Sequence, residues 1–203
     1  MIIVQRGVSS PFENRALKSM FEERKRVFVD LLGWDVPVID NRFEVDRYDD
    51  EHALYVIVAD QAGEHLGSAR LLQTTRPHIL ADLYPDLCIG DVPRGIRTLE
   101  ITRFCLARSQ RSGDRRHIRN LLVSALVSVA LEHDVDQYTG VAELGWMQQI
   151  LAFGWDCRPL GLPRRLDCGV LGALSISING QTPQLLARNG IWSLSEPGFA
   201  RAA

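Results

Sequence analysis

Two alternating runs separated by a short glycine turn restrict this chain's fold more than any other feature. Residues 53–59, ALYVIVA, and 65–73, HLGSARLLQ, are joined by DQAGE, and that arrangement predicts an antiparallel β-hairpin. Period two puts Leu66, Ser68, Arg70 and Leu72 on one face of the second strand. An early hairpin argues against a purely parallel sheet. Downstream, strand-like and helix-like segments alternate. TLEITRFCLA at 98–107 and QYTGVAE read as strands, an apolar helix runs from about 117 to 132, LGWMQQILAFGW is a short helix stopped at Gly154, and VLGALSISI is a last strand. TPQLLARNG is a final helix with Thr182 as cap, Pro183 in its first turn and Gly190 as terminator. The expectation is an α/β chain with helices on both faces of a mixed sheet, neither a bundle nor a barrel.

Upstream of the hairpin, residues 12–32 are predicted to be one helix. Leu17, Met20, Phe21, Phe28, Leu31 and Leu32 form its apolar stripe, and Gly33 is its stop. Arg24 falls on that stripe, and a cation on an apolar face needs a route to solvent or a buried anion. Arg70 and Arg103 sit in strands in the same predicament. The acids available to meet them are Glu44, Asp46 and Asp49, in the loop before the hairpin, and Glu100, three residues from Arg103. Two readings stay open: an ion-pair network that only ties the loop to the sheet, or a polar pocket for a ligand bearing an ammonium and a carboxylate. In the second, carboxylates meet the ammonium and an arginine fork meets the carboxylate, while Phe28 and Trp34 hold a sulfonium or a flat ring.

Composition removes several alternatives. The 203 residues are 46% hydrophobic and 24% charged, with a net charge of −2, so one globular domain over 1–203 is expected, without a general affinity for nucleic acid. No apolar run reaches the roughly 18 residues of a membrane span. The opening MIIVQRGVSS does not read as a basic-plus-apolar export signal, so none is expected. The four cysteines form no CxxC pair and the five histidines lack metal spacing, so neither a metal nor a permanently bound cofactor is expected, and the setting is expected to be reducing and cytoplasmic.

Taken in order, Arg24-x3-Phe28-x5-Trp34, Glu44-x-Asp46-x2-Asp49, GSAR ending at Arg70, and LEITRF with Glu100 and Arg103 resemble the N-acyl-homoserine lactone synthases, the autoinducer synthases of bacterial quorum sensing. The likeness covers residues 1 to about 180; the tail beyond is less typical. It implies a three-layer α/β/α sandwich of the GNAT acyltransferase type, with a mixed, mostly antiparallel twisted sheet. The implied substrates are S-adenosylmethionine and an acyl thioester, carried on acyl carrier protein or coenzyme A. By resemblance Glu100 is the base that takes a proton from the methionyl amine, Asp46 and Asp49 orient the ammonium, and Arg70 and Arg103 pair with the acids or grip the carboxylate. Arg24, Phe28, Trp34 and Glu44 line the S-adenosylmethionine side. The GNAT likeness assigns Arg108, Arg111 and Arg115, just before and within a helix start, to the donor's pantetheine arm or an acidic carrier; a solvated basic surface explains them as well. By the same resemblance Thr139 falls where a hydroxyl meets 3-oxo acyl chains, although a β-favouring threonine in a strand explains it as well, and Trp146 either bounds the acyl tunnel or belongs to the core. An ordinary GNAT N-acyltransferase acting on another amine is the alternative.

One consequence is geometric. In a regular strand Glu100 and Arg103 point to opposite faces, so lining one pocket requires a β-bulge between residues 100 and 104.

Overall fold

In the computed structural model, residues 1–7, 14–108, 110–194 and 200–201 are described. The chain begins with β1 (Ile2–Arg6) and α1 (Arg15–Arg24), followed by a two-strand ribbon, β2 (Val38–Ile39) and β3 (Phe43–Glu44). The expected hairpin is β4 (Leu54–Ala59) and β5 (His65–Gln73). After α2 (Ile79–Leu83) come β6 (Thr98–Leu106), α3 (Ser112–Glu132), β7 (Gln137–Glu143) and α4 (Leu144–Leu151). The C-terminal part holds β8 (Asp156–Pro159), β9 (Arg164–Leu166), β10 (Gly169–Ser177), α5 (Thr182–Arg188) and β11 (Ala200–Arg201).

The main sheet runs β11-β1-β4-β5-β6-β7-β10-β8, with β9 also on β10. Among the described residues only β1/β11 and β6/β7 pair in parallel. The latter pair is joined through α3, as a parallel connection requires. One face packs its apolar residues against α1 and α2, and the other against α3, α4 and α5. This is the expected sandwich.

The single helix predicted over 12–32 is not what forms. Residues 12 and 13 lie outside the described residues, and α1 starts at Arg15, capped by Asn14, whose side chain accepts from the Ala16 amide. From Lys25 to Leu31 the backbone is π-helical, so each turn is one residue wider. The widening turns Val27 and Phe28 inward and leaves Leu31 and Leu32, expected on the buried stripe, half exposed. Gly33 ends the segment at φ +68° as expected. α3 starts five residues earlier than predicted, which brings Arg115 inside the helix. Thr182 is the first residue of α5, with Gln181 as cap; its hydroxyl accepts from the Asn179 amide instead. The proline-bearing residues 74–97, between the hairpin and β6, contain α2.

The bulge is present. Ser68 pairs with Cys105 but Arg70 pairs with Thr102, so Arg103 and Phe104 together oppose Ala69. Arg103 takes up the extra residue in the left-handed region, at φ +49°, an uncommon conformation for a side chain of this size. Glu100, Thr102, Arg103 and Cys105 consequently all reach partners on the α1/α2 side, while Phe104 packs on Trp146 behind the sheet. Beyond the bulge β6 also leaves β7: their pairing covers only Thr98–Ile101 against Gln137–Gly140.

Candidate active site

Three guanidiniums and three carboxylates alternate around a closed ring on the α1/α2 face. Arg24, at the end of α1, donates from Nε to Glu44 at 2.5 Å and from both Nη atoms to Asp49 at 2.8 Å. Arg70 meets Asp49 at 2.8 Å and grips Asp46 with two bonds of 2.6 and 3.0 Å. Arg103 closes the circle, donating to Asp46 at 2.7 Å and to Glu44 at 2.9 Å. The ring is electrically neutral, which is the condition for burying so many charges. Burial works against the charge of Arg24, but Asp49 and Glu44 outweigh it and hold the guanidinium firmly protonated. Burial likewise pushes the Asp49 carboxyl up, yet Arg24 and Arg70 together bring it far below the usual carboxylate range.

Exposure within the ring is uneven. The side chains of Arg24, Glu44, Asp49 and Arg70 are at most 1% exposed, whereas Asp46 and Arg103 reach 8% and 9%. The buried four form a floor and the other two a rim. Asp49 has no acceptor capacity to spare: besides the arginines it takes the Tyr55 hydroxyl at 2.9 Å and the Asp46 amide at 2.8 Å. Beside the rim, Phe28 and Trp34 stack with centroids 4.7 Å apart and planes 13° from parallel. The Arg103 guanidinium carbon lies 5.6 and 5.8 Å from their ring centres, within cation–π range. The chain folds back at Gly33, φ +68°, where the Trp34 amide returns to the Phe28 carbonyl at 2.8 Å and brings the two rings together.

Glu100 shares the face but not the ring. It is fully buried beneath α2, where Oε1 accepts the Leu80 amide at 2.8 Å. Oε2 has no hydrogen-bond partner among the described residues, and neither does the buried hydroxyl of Thr139, the register partner of Glu100 on β7. Desolvation pushes the Glu100 carboxyl up to about 8, against the pull of the Leu80 and Ile79 amides and of Arg70. A carboxylate with that poise and one unengaged oxygen suits proton abstraction near neutral pH. The expectation that Glu100 would meet the same cations as the loop acids is corrected here: burial leaves it under α2, with backbone amides as its hydrogen-bond donors.

The pattern described as Autoinducer synthase matches residues 9–170. The chain belongs to the autoinducer synthase family. An acyl-homoserine-lactone synthase of Ralstonia nicotianae is 43% identical over 166 residues, covering 78% of this chain and 80% of the relative. That of Pseudomonas aeruginosa is 29% identical over 185 residues, covering 89% and 92%. Among solved structures, the CoA-dependent acyl-homoserine lactone synthase BjaI, determined with MTA and also with SAM and isopentyl-CoA, superposes with a TM-score of 0.85 at 26% identity, covering 100% of this chain and 93% of BjaI. This autoinducer synthase is an acyltransferase.

The residues expected on the donor side are scattered. Arg108, Arg111 and Arg115 are all exposed at the start of α3. Arg115 also bends back to donate to the Leu106 and Ala107 carbonyls at 3.3 and 3.1 Å, fastening the end of β6. Trp146 is half-buried between Phe104 and Phe153, and its neighbour Met147 is core. Among the described residues no helix is long and apolar enough to cross a membrane.

Sequence reasoning missed several members of the site. Tyr55 stands opposite Arg70 in the β4/β5 register, a signal available only once that register is known. Thr102 accepts from Arg70 Nε at 3.0 Å, Tyr48 lies with its ring 5.8 Å from the Arg70 guanidinium, and buried Glu23 accepts the Arg108 amide at 3.3 Å. An alternating pattern marks such residues as core-facing without naming their partners.

Proposed function

We propose that this autoinducer synthase makes an acyl-homoserine lactone from S-adenosylmethionine and an acyl thioester, with the rim of the ion ring as the sulfonium substrate's seat. The observation that carries the reading is the combination of a charge-neutral buried floor, an Asp46–Arg103 rim, and the Phe28–Trp34 stack beside it. Arg103 faces the substrate carboxylate and Asp46 its ammonium, each re-aiming one bond now spent within the ring. Phe28 and Trp34 flank the sulfonium or the adenine. Arg24, Glu44, Asp49 and Arg70, engaged within the ring and by Thr102 and Tyr55, fix the rim without touching the substrate, which makes all four scaffold instead of the contact groups the resemblance implied.

Glu100 accepts one proton from the methionyl ammonium, directly or through a water. The freed nitrogen attacks the thioester carbonyl, a C–N bond forms, and the C–S bond breaks with its electron pair leaving on sulfur, while the nitrogen's surplus proton passes to the departing thiolate. The methionyl carboxylate oxygen then attacks its own γ-carbon, and the bond to the sulfonium breaks with the electron pair leaving on sulfur. Methylthioadenosine departs neutral, so this second step needs orientation more than acid–base help.

For the donor we propose acyl-CoA. The divergence of β6 and β7 beyond Ile101 leaves room and free strand edge for an extended arm, and the arginines at the start of α3 suit its phosphates. The CoA dependence of BjaI points the same way. Thr139, with its unengaged hydroxyl, lies on the acyl side and meets a 3-oxo group where the chain carries one. The purified protein is tested with labelled S-adenosylmethionine and matched acyl-CoA and acyl-carrier-protein donors. Release of methylthioadenosine and an acyl-homoserine lactone, faster from acyl-CoA, is expected. Acylation of some other amine without methylthioadenosine would establish an ordinary N-acyltransferase instead.

A further inference from the structure

α2 has five residues, too few to hold its own conformation in water, yet its Leu80 amide is the hydrogen-bond donor to Glu100. Its placement must therefore come from tertiary ties. Ile79 and Leu80 supply an apolar tie. Another runs through Asp82, whose Oδ2 accepts the Tyr48 hydroxyl and an Arg47 Nη, both at 3.1 Å. Arg47 also donates to the Tyr48 oxygen at 2.6 Å, closing a three-membered cluster. Tyr48 is 6% exposed; its amide donates to Asp46 Oδ1 at 2.8 Å, and its ring lies against Arg70. Among the described residues Glu100 shares no hydrogen bond with the ion ring. β6 itself carries both Arg103 and Glu100; a second path, which fixes α2 over the base, runs Asp46, Tyr48, Asp82, α2, Glu100.

We infer that Tyr48 and Asp82 are positioning residues that set the placement of Glu100 relative to the sulfonium-substrate seat. The inference rests on the reading of Glu100 as the base. A ring assembled without this latch would still bind S-adenosylmethionine, but α2 would ride loosely over Glu100 and admit water. The charged groups acting on Glu100 are Arg70 from β5 and Asp82 from α2, and Thr139 stands beside it on β7. Desolvation dominates that balance, so hydration moves the acid limb of the pH profile downward.

Full-length Tyr48→Phe, Asp82→Asn and Glu100→Gln proteins are assayed with S-adenosylmethionine and acyl-CoA from pH 5.5 to 9.5. Both latch variants should lose about tenfold in kcat, keep KM for S-adenosylmethionine within about twofold, and shift the acid limb down by about one pH unit. Asp82→Glu, which keeps the acceptor, should restore much of kcat. Parental kcat and pH profile in both latch variants overturn the inference. So does a joint loss of kcat and S-adenosylmethionine affinity with an unmoved limb, which would make the cluster merely structural. If Tyr48→Phe fails to fold, Asp82→Asn, altered at a side chain 24% exposed, carries the same test. A Glu100→Gln enzyme that keeps the acid limb refutes the base assignment itself. A limb lost there but unmoved in the latch variants refutes the latch alone.

Discussion

Tyr55 and Arg70 face each other across the β4/β5 ladder, and both side chains end on Oδ1 of Asp49. One carboxylate thus joins a neutral donor from one strand, a cation from the next and a second cation from α1. Removing either kind of partner should have very different consequences. Tyr55→Phe takes one hydrogen bond from an oxygen that keeps two guanidinium donors, and should cost about 1 kcal/mol. Asp49→Asn leaves Arg24 and Arg70 buried with a charge too few, and should cost about 3–5 kcal/mol. Urea unfolding of the two variants measures the difference; equal losses would mean that charge balance is not what stabilises the ring.

Arg103 supplies a second contrast, because its backbone and its side chain pull in opposite directions. At φ +49° any residue but glycine carries a conformational cost of about 1 kcal/mol. Arg103→Gly should therefore unfold at higher denaturant than Arg103→Ala. Both variants lose the guanidinium that spans Glu44 and Asp46, so both should bind S-adenosylmethionine at least tenfold more weakly, by calorimetry, for want of a charge-assisted pair worth about 1.5–3 kcal/mol. A glycine variant no more stable than the alanine one would show that the bulge is not strained.

The bulge was legible once the family resemblance put Glu100 and Arg103 in one pocket, because their three-residue spacing cannot put both on one face of a regular strand. The hairpin, β7 and the apolar face of α3 follow equally from period two or period 3.6 patterning. The π-helical turn does not. One wide turn spans too few residues to leave a period, and Leu31 and Leu32 fit an α-helical stripe that the backbone never forms. The membership of the ring was readable as unsatisfied charge, since three arginines in apolar positions need three anions. Its wiring was not, because which acid meets which arginine depends on strand register and on the path of the loop at 44–50. For the same reason Glu100 looked like a ring acid: nothing in the residues 74–97 reveals that five of them fold as a helix over it. The tail beyond 181 gave no functional signal, and it contributes core instead, with Leu186 buried in the cluster around α3.

Thr139 carries a buried hydroxyl with no partner among the described residues, an arrangement that stability alone does not favour. Thr139→Val keeps the shape and removes the unpaired oxygen, so the variant should be as stable as the parent or more so. If the hydroxyl faces the acyl chain, the same change should lower kcat/KM for a 3-oxo acyl donor about tenfold, the worth of one hydrogen bond, while leaving the unsubstituted donor of equal length nearly unaffected. Competition between the two donors, read by mass spectrometry of the lactones, measures the ratio directly. An unchanged ratio removes Thr139 from the acyl site.

Glu100 ties activity to instability. Its carboxyl has an ordinary value of 4.5 and is pushed up to about 8 in the folded chain by desolvation. Below about pH 4.5 it is protonated in folded and unfolded chains alike, and its favourable burial as a neutral group is fully present. Between 4.5 and 8 the unfolded chain releases the proton and the folded chain keeps it, so this contribution is lost as pH rises. Above 8 the folded protein bears a buried carboxylate and the whole penalty, on the order of 3–5 kcal/mol. Glu100→Gln never ionises. It should match the parent near pH 4.5, gain on it steadily through neutrality, and melt well above it at pH 9, while catalysing no lactone formation. Parallel thermal melts of the two proteins across this range measure the gap. A constant gap at every pH would place the proton elsewhere and leave the enzyme without the base that the first step needs.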